Sequence, residues 1–330
     1  MSLSSLFFAV LSILGAGARP ADAARDCPRV DLAKIPDVRL FRGTPTSAYR
    51  DPAVVFADGT FHLFMTWVFA REGQVQATIV QADSVDLVQW TEPKALFRAD
   101  PDLNYSSPGN IVRDGEAWVM CFQTYPRPGA RLSDIPPRYG NANCRLYVSR
   151  TRDFRVWGRP ELLKVKGPGT PFADMGRMID PYLVKAPNGL WHCFFKQNGV
   201  SFSTSRDLKA WTFCGRADAG ENVCVIPADG GGWLMMHSPR NGLALKRSSD
   251  LLTWTDVPGL ITLGQAGWPW AKGRLTAGAI LDARQVPGVG RYLLFFHGSG
   301  PKTEEAGDFD RNASVGIAWS EDFVNWEWPR

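Results

Sequence analysis

The sequence lacks the features of several large classes of protein. Its formal net charge is only +4, from 37 basic and 33 acidic residues dispersed along the chain, which gives no case for nucleic-acid binding. No apolar run reaches the length of a membrane-spanning helix. The six cysteines include no C-x-x-C pair, which argues against a zinc site. We therefore expect neither a nucleic-acid nor a membrane partner, and no cofactor.

What the sequence does contain is a seven-residue phrase, S/T-x-D-L/F-x-x-W, that occurs five times. The copies begin at Ser84, Thr151, Ser205, Ser248 and Ser320. Constant spacing within the phrase and variable gaps between copies are typical of a repeated structural unit. An Asp two residues after Ser or Thr can accept backbone N–H groups and hold a tight turn. We interpret the phrase as structural, since identical positions in all five units cannot face one substrate.

Short apolar runs precede each phrase in the same order. In the first repeat, residues 52–56 lead to an Asp58-Gly59 turn, which is followed by residues 61–67 and 76–80. Such runs of β-branched and aromatic residues between turn signals predict antiparallel strands. A last short run after each Trp supplies a fourth strand. The sequence therefore predicts an all-β fold, a five-bladed β-propeller of four-stranded antiparallel blades.

The last repeat is incomplete, because four residues after Trp326 are too few for a fourth strand. The segment 36–42 (Pro-Asp-Val-Arg-Leu-Phe-Arg) resembles the segment 93–98 (Pro-Lys-Ala-Leu-Phe-Arg) that follows the first phrase. We predict that residues 38–41 complete the last blade and close the ring, which removes an exposed strand edge.

The amino-terminal region predicts export. Residues 3–14 are apolar, and Ala21-Asp22-Ala23 fits a cleavage site, although no Lys or Arg precedes the apolar run. We predict a signal peptide at 1–23, an N-terminal extension at 24–35 and a catalytic propeller domain at 36–330, in a secreted or periplasmic monomer. An N-terminal anchor or a misplaced start is the alternative. An even number of cysteines is compatible with disulfides outside the cytoplasm, but buried free thiols are the alternative for Cys121 and Cys193.

Acidic residues occupy the starts of three predicted inner strands. Aligning the five inner strands places Asp51, Ser107, Asp180, Glu221 and Ala277 at one position. These starts surround the central channel of a propeller, where converging carboxylates raise each other's pKa values unless chemistry or a cation requires them. A turn-forming Asp before Pro is the alternative for Asp51 or Asp180 taken singly. It does not explain all three acids together.

These motifs resemble those of the five-bladed propeller glycoside hydrolases, closest to family 43 and its relatives. The resemblance covers residues 38 to 326. It is carried by Y-R-D-P at 49–52, I-D-P at 179–181 and G-E-N at 220–222, in the first, third and fourth blades. By resemblance, the substrate is a plant or algal oligosaccharide or polysaccharide, with α-L-arabinofuranosides or β-xylosides as the default.

The resemblance also implies roles for the three acids. Asp51 is implied to be the general base, Asp180 to orient the acid and tune its pKa, and Glu221 to be the general acid. Inverting hydrolysis needs an ionised and a protonated carboxyl group roughly 6.5–9.5 Å apart, with water between them. A third carboxylate beside Glu221 would keep that acid protonated. A propeller phosphorylase and a non-catalytic carbohydrate-binding propeller are the alternatives.

Sugar binding calls for flat apolar faces and side chains with several hydrogen-bonding groups. The candidates are Trp67, Ser107, Arg177, Arg240, Trp268, Trp270 and Arg274. A packed loop residue is the alternative for each of them. The insertion at residues 126–143, rich in Pro, Arg and Gly, either forms a lid over the channel or is a passive loop.

The sequence departs from the family in one respect. Many relatives carry a histidine in the fifth blade that helps hold a central ion or water, whereas residues 276–278 contain none, which argues against a bound calcium ion. The four histidines of the chain lie in predicted second strands: His62, His192, His237 and His297. We interpret them as packing residues at similar positions, with His237 and His297 as alternative residues of the channel rim.

Overall fold

A computed structural model describes residues 30–330 as five antiparallel sheets in sequential order along the chain, so the predicted five-bladed propeller is confirmed. The first blade comprises β2 (Ser47–Ala57), β3 (Thr60–Arg71), β4 (Gln74–Ser84) and β5 (Lys94–Ala95). The second comprises β6 (Tyr105–Asp114), β7 (Ala117–Thr124), β8 (Leu146–Thr151) and β9 (Glu161–Leu162). The third comprises β10 (Ile179–Lys185), β11 (Trp191–Lys196), β12 (Val200–Ser205) and β13 (Trp211–Ala217).

The fourth and fifth blades complete the ring. The fourth comprises β14 (Glu221–Pro227), β15 (Trp233–Arg240), β16 (Gly242–Ser248) and β17 (Thr255–Ile261). The fifth comprises β18 (Arg274–Asp282), β19 (Tyr292–Ser299) and β20 (Ser314–Ser320), with β1 (Arg39–Phe41) and β21 (Trp326–Glu327) on its outer edge. Short helical turns span Leu32–Lys34, Ala173–Met175, Pro269–Ala271 and Glu304–Asp308. None of the helices within residues 30–330 has the length and apolar character needed to cross a membrane.

The two ends of the described chain share the last position of the fifth blade. Strand β1 pairs antiparallel with β20 through Phe41 and Val315, and the N–H of Ile317 donates to the carbonyl of Val38 at 2.9 Å. Strand β21 pairs with the other end of β20, where Ser320 lies opposite Trp326. The predicted closure by residues 38–41 is therefore present, and the carboxyl end of the chain covers the remainder of the same edge.

The repeated phrase forms the predicted turn. In the first copy, the Asp86 carboxylate accepts the N–H groups of Val88 and Gln89 at 2.9 and 2.8 Å, while the Ser84 hydroxyl accepts that of Leu87 at 2.9 Å. The apolar residue of every copy has a φ between 58° and 66°: Leu87, Phe154, Leu208, Leu251 and Phe323. This left-handed conformation is costly for such residues and persists because the hydrogen bonds and the surrounding packing over-determine it.

The tryptophans of the phrase connect neighbouring blades. Trp90 meets the ring of Phe295 edge-on at 6.5 Å, and Trp254 meets that of Phe194 at 5.9 Å. In both pairs the phenylalanine lies on the second strand of the preceding blade. Such edge-on contacts stabilise aromatic pairs by about 0.5–1.5 kcal/mol beyond their buried area. The core of the propeller therefore lies between the blades, where the repeated residues meet.

No disulfide links the cysteines of residues 30–330. Cys121, Cys144, Cys193 and Cys224 are buried free thiols and Cys214 is exposed. The predicted signal peptide at 1–23 lies outside the described residues, as do Cys27 and most of the extension at 24–35. Export therefore stays a prediction.

Candidate active site

The inner strand of each blade is interrupted by a β-bulge close to the central axis. In β2, regular pairing is lost between Arg50 and Ala53, and in β10 it is lost between Ile179 and Tyr182. The first residue of each bulge has a left-handed φ between 44° and 54°: Asp51, Ser107, Asp180, Asn222 and Ala277. Asp and Asn tolerate this conformation better than most residues, so a backbone requirement accounts for part of the acidity at these positions.

The sequence alignment of the fourth blade is wrong by one residue. Asn222, not Glu221, has the left-handed conformation that Asp51 and Asp180 share. Glu221 occupies the position before the bulge, still paired with Ser238, and is equivalent to Arg50 and Ile179. A bulge shifts the two-residue alternation of side chains, so a one-residue difference changes which way a side chain faces. The preference of Asn for a left-handed backbone is the sequence signal that would have placed the bulge.

A cavity of about 520 Å³ lies over the bulges. This volume is in the usual range for sites that bind small molecules. The three acids named from the sequence, Asp51, Asp180 and Glu221, all line it. These three acids therefore reach one space from three blades, although they do so from two different positions of the inner strand.

Asp51 is held by neighbours on three blades. Its carboxylate oxygen Oδ2 accepts the hydroxyl of Thr66 at 3.0 Å and that of Ser107 at 3.1 Å. Its backbone N–H donates to Nδ1 of His297 at 3.0 Å, which makes Nε2 the protonated nitrogen of the neutral imidazole. The Asp51 side chain is only 14% exposed. These two hydrogen bonds fix the position of the carboxyl group in the lining of the cavity.

Asp180 is the carboxyl group whose pKa rises in this site. Burial and then the charge of Glu221 raise the pKa of Asp180 to about 7, against the opposing effects of Lys196 and Arg177. Its backbone N–H donates to Oε1 of Gln123 at 2.6 Å, which fixes the main chain at the bulge. Asp180 therefore holds a proton over the acidic range and releases it near neutral pH.

Glu221 is the carboxyl group that contacts cations. Lys196 and Arg274 each form an ion pair with it, one to each carboxylate oxygen. The expected neighbouring carboxylate, Asp180, is present, and the two cations share the surroundings of Glu221 with it.

A buried ion pair supports the Asp51 side of the cavity. Arg50 contacts Glu304 at 2.9 Å, and its Nη1 donates to the carbonyl of Phe309 at 2.6 Å. Although burial acts in the opposite direction, the charge of Arg50 and the neighbouring His297 hold the pKa of Glu304 well below its usual range. The pair fixes His297 between Glu304 and Asp51, at 3.6 and 3.5 Å respectively.

The sequence reasoning missed a second ring of polar residues. Opposite each inner strand, near the end of the second strand, stand Thr66, Gln123, Lys196, Ser238 and His297. Four of them accept the backbone N–H of the bulge residue in the next blade, over distances of 2.6 to 3.1 Å. The five residue types differ, which hid the repeat. Lys196 cannot accept a hydrogen bond and binds Glu221 instead.

The histidines do not occupy one equivalent position. His62 and His192 lie near the starts of their strands, where His62 contacts Asp83 at 2.7 Å. His237 and His297 lie near the opposite ends, and Nδ1 of His237 accepts the N–H of Gly220 at 2.9 Å. The prediction that all four are similar in position is therefore wrong. His297 belongs to the polar ring around the bulges.

The structure divides the predicted sugar-binding residues. Ser107, Arg177 and Arg274 line the cavity. Four others are placed away from the cavity lining of residues 30–330: Trp67, Arg240, Trp268 and Trp270.

The physical reasons for these corrections are local. Thr66 and Val68 both face the cavity, so Trp67 between them points to the other face of the strand. Trp268 and Trp270 stack parallel to each other at 5.5 Å and pack against the core. Arg240 is exposed at the end of β15.

Nothing in the described part of the chain forms a group of three or more His, Cys, Asp or Glu side chains suited to a metal ion. The bulge residues at the axis present Asp51 and Asp180 beside Asn222, Ser107 and Ala277. Two carboxylates in such a ring, from the first and third blades, are a poor set of ligands for calcium, which prefers six to eight oxygens. The expectation that no cofactor is bound stays a prediction.

Comparisons with known proteins find similarity in structure alone. No protein-family model matches the sequence. No curated protein matches it either. The catalytic domain of a family 62 α-L-arabinofuranosidase from Coprinopsis cinerea superposes with a TM-score of 0.58 at 14% identity, over 84% of this chain and 96% of that domain.

Two further solved structures show the same relation. A thermostable family 43 glycoside hydrolase superposes with a TM-score of 0.56 at 13% identity, over 85% of this chain and 92% of its own. A family 117 glycoside hydrolase from the marine bacterium Zobellia galactanivorans gives a TM-score of 0.57 at 15% identity, over 83% of this chain and 86% of its own. At such identities the likeness establishes the fold. The resemblance expected from the motifs is therefore confirmed: this chain has the five-bladed propeller of these glycoside hydrolases.

Proposed function

We propose that the cavity hydrolyses a glycosidic bond of an oligosaccharide or polysaccharide, with inversion at the anomeric carbon. The observation that carries this proposal is the meeting of Asp51, Asp180 and Glu221, from three different blades, around one cavity. Structural neighbours solved with cellotriose or xylotriose support a carbohydrate as the ligand of this fold. An α-L-arabinofuranoside or a β-xyloside is the proposed substrate, and the protein is proposed to act as a secreted or periplasmic monomer.

The proposed reaction uses water and two carboxyl groups. Water attacks the anomeric carbon while Asp51 takes its proton, and Glu221 transfers a proton to the departing glycosidic oxygen. The bond to the leaving sugar breaks with its electron pair on that oxygen. Asp51 then carries a proton and Glu221 a negative charge, and exchange with solvent restores both. Asp180 faces Glu221 and alters its charge environment, so it acts as a positioning residue.

Substrate binding has a defined task in this scheme. Glu221 accepts from Lys196 and Arg274 in the free protein, and a donor needs a proton instead. Sugar hydroxyls that accept from these two cations would release Glu221 and leave room for its proton. Arg274 also contacts Glu304 at 3.7 Å, so Glu304 can pair with Arg274 when Glu221 is released.

The test compares leaving groups in two variants and the unmutated protein. Aryl glycosides of arabinofuranose and xylose are offered with a good leaving group, dinitrophenol, and a poor one, phenol. Asp51→Ala is expected to lose turnover of both, whereas Glu221→Ala should keep much of its turnover of the dinitrophenyl substrate, which needs no proton donor. NMR of the first product formed reports inversion.

Each contrary outcome identifies a different function. Full turnover of both substrates by Asp51→Ala or Glu221→Ala refutes the assignment. Turnover that depends on added inorganic phosphate indicates a phosphorylase. Binding of oligosaccharides without product, in calorimetry of the unmutated protein, indicates a carbohydrate-binding propeller.

A further inference from the structure

The loops around the cavity are of very unequal length. The loops that join second and third strands reach the cavity face, and two of them are long: residues 125–145 in the second blade and residues 300–313 in the fifth. The corresponding turns are residues 197–199 in the third blade and Asn241 in the fourth. The rim of the cavity is therefore high over one part of the ring and low over the rest.

The two long loops bind each other across the top of the first blade. Arg127 of the second blade forms an ion pair with Asp310 of the fifth, at 2.5 Å, and both side chains are buried. The rings of Tyr139 and Phe309 meet edge-on at 5.0 Å. A buried, paired charge is costly to separate, since removing either partner leaves the other unpaired in a dry environment. The loops therefore form a continuous wall.

The first blade supports this wall from below. Val75 of its long hairpin donates to the carbonyl of Ala130 at 2.8 Å, and Tyr49 donates to that of Ala313 at 2.9 Å. Ala130 and Ala313 are buried in one apolar cluster with Val68 of the hairpin. Backbone hydrogen bonds and packing of this kind hold the wall in place, in contrast to a mobile lid.

The opposite side of the cavity is open. Among residues 30–330 the fourth blade contributes only Glu221 and Asn222 to the lining, both from its inner strand. Arg240 and Asn241, at its short turn, are exposed and stand away from the cavity. A polysaccharide that runs through a site needs an exit at both ends, and the wall leaves this cavity open on one side, over the third and fourth blades.

The positions of the proposed acid and base match this asymmetry. In inverting hydrolysis the acid stands on the side of the leaving group, and the base stands across the scissile bond from it. Glu221 belongs to the open fourth blade, whereas Asp51 belongs to the first blade, under the wall. The leaving part of the substrate therefore points out of the cavity, and the sugar whose anomeric carbon reacts is enclosed.

We infer that this protein acts on chain ends and releases the single non-reducing terminal sugar of an oligosaccharide or polysaccharide. The inference rests on the proposed glycoside hydrolysis and adds the mode of attack. The wall formed by residues 125–145 and 300–313 blocks any sugar beyond the terminal one, and the rest of the chain leaves over the fourth blade.

A product ladder tests the inference. The unmutated protein is incubated with α-1,5-arabino- and β-1,4-xylo-oligosaccharides of two to six sugars, each reduced to the alditol at its reducing end. Early samples are expected to contain the free monosaccharide and alditols shorter by one sugar. Early alditols shorter by two or more sugars, with free oligosaccharides, would overturn chain-end action while supporting hydrolysis. Absence of product from these substrates and from all aryl glycosides would overturn both proposals.

A loop variant adds a second measurement. Replacing Tyr139, which lines the cavity and packs on Phe309, with Ala removes part of the wall and leaves Arg127 and the acids in place. The variant is expected to cleave oligosaccharides that carry a methyl ether on the terminal sugar at least tenfold faster than the unmutated protein. Val156→Ala, at an exposed position in the turn of the second blade, is the matched control. Equal rates on the blocked substrate contradict the role of the wall, and if the variant does not fold, the product ladder still decides.

Discussion

Replacing Asp180 with Asn should remove a pH dependence of stability. The pKa of Asp180 is raised from 3.8 to about 7. The folded protein therefore holds this proton between about pH 4 and 7, whereas the unfolded chain releases it near pH 4. Because the unfolded state then binds fewer protons, the free energy of unfolding falls as the pH rises through this window. The loss is complete above pH 7.

The magnitude follows from the size of the shift. One pKa unit corresponds to about 1.4 kcal/mol, so a shift of roughly three units changes the free energy of unfolding by at most about 4 kcal/mol. Asn cannot ionise, and it fits the backbone, because Asn222 already occupies the equivalent left-handed position in the fourth blade. Relative to the unmutated protein, Asp180→Asn should therefore gain stability as the pH rises from 4 to 7.

The assay is urea unfolding of both proteins at pH 4.5, 6 and 8, with m-values compared to confirm that both unfold in the same way. Asp322→Asn is the control: hydrogen bonds from the backbone N–H groups of Asn325 and Val324 lower the pKa of Asp322 to about 2. The stabilising effect of ionised Asp322 is present above pH 4 and is lost only as the pH falls towards 2. The difference in the free energy of unfolding between Asp322→Asn and the unmutated protein should therefore be constant over the pH range used. If the difference in the free energy of unfolding between Asp180→Asn and the unmutated protein is equally constant with pH, the reasoning is refuted.

Two further predictions concern the turn and the cation beside Glu221. Leu87→Ala should lower the free energy of unfolding by about 2–5 kcal/mol, because the side chain is fully buried, and should leave kcat unchanged. Calorimetry measures the stability and steady-state rates measure kcat. A large loss of kcat in a folded variant contradicts a purely structural role. Lys196→Met should raise the pKa of Asp180 further, since the charge of Lys196 lowers it. The chemical shift of the Asp180 carboxyl carbon, followed by NMR against pH, measures this pKa, with Lys209→Met as an exposed control. An unchanged titration contradicts the charge effect of Lys196.

The sequence predicted the fold well because the fold depends on local, repeated chemistry. The phrase that begins at Ser84 specifies a turn held by its Asp and an apolar residue with a left-handed backbone, and both are present in all five copies. The closure at residues 38–41 was predictable for the same reason, since it repeats the segment that follows the first phrase. Local patterns repeated five times leave little ambiguity about architecture.

The site was predicted less completely because it depends on bulges and on loops that cross the ring. The bulge in β14 moved Asn222 to the position that the alignment gave to Glu221. Trp268 and Trp270 have the flat aromatic faces on which sugars stack, yet their rings pack on the core. The pairing of Arg127 with Asp310 joins residues that are far apart in sequence and carry no shared pattern. Loop geometry of this kind is set by tertiary packing, which a single sequence does not display.

The clearest sign of a functional site is the one junction between blades that departs from the repeated hydrogen-bonding pattern. Thr66, Gln123, Ser238 and His297 each accept the N–H of a bulge residue, which satisfies a buried backbone donor next to the axis. At the junction of the third and fourth blades, Lys196 takes the equivalent position, and a lysine can only donate. Its charge is directed to Glu221, which itself stands one residue before the bulge. Lys196 and Glu221 both differ in type from the residues at the other four junctions, which shows that the propeller forms without a charged pair of this kind. These two differences are explained if this junction carries the proton donor of the reaction, because departures from local consistency are expected at functional sites.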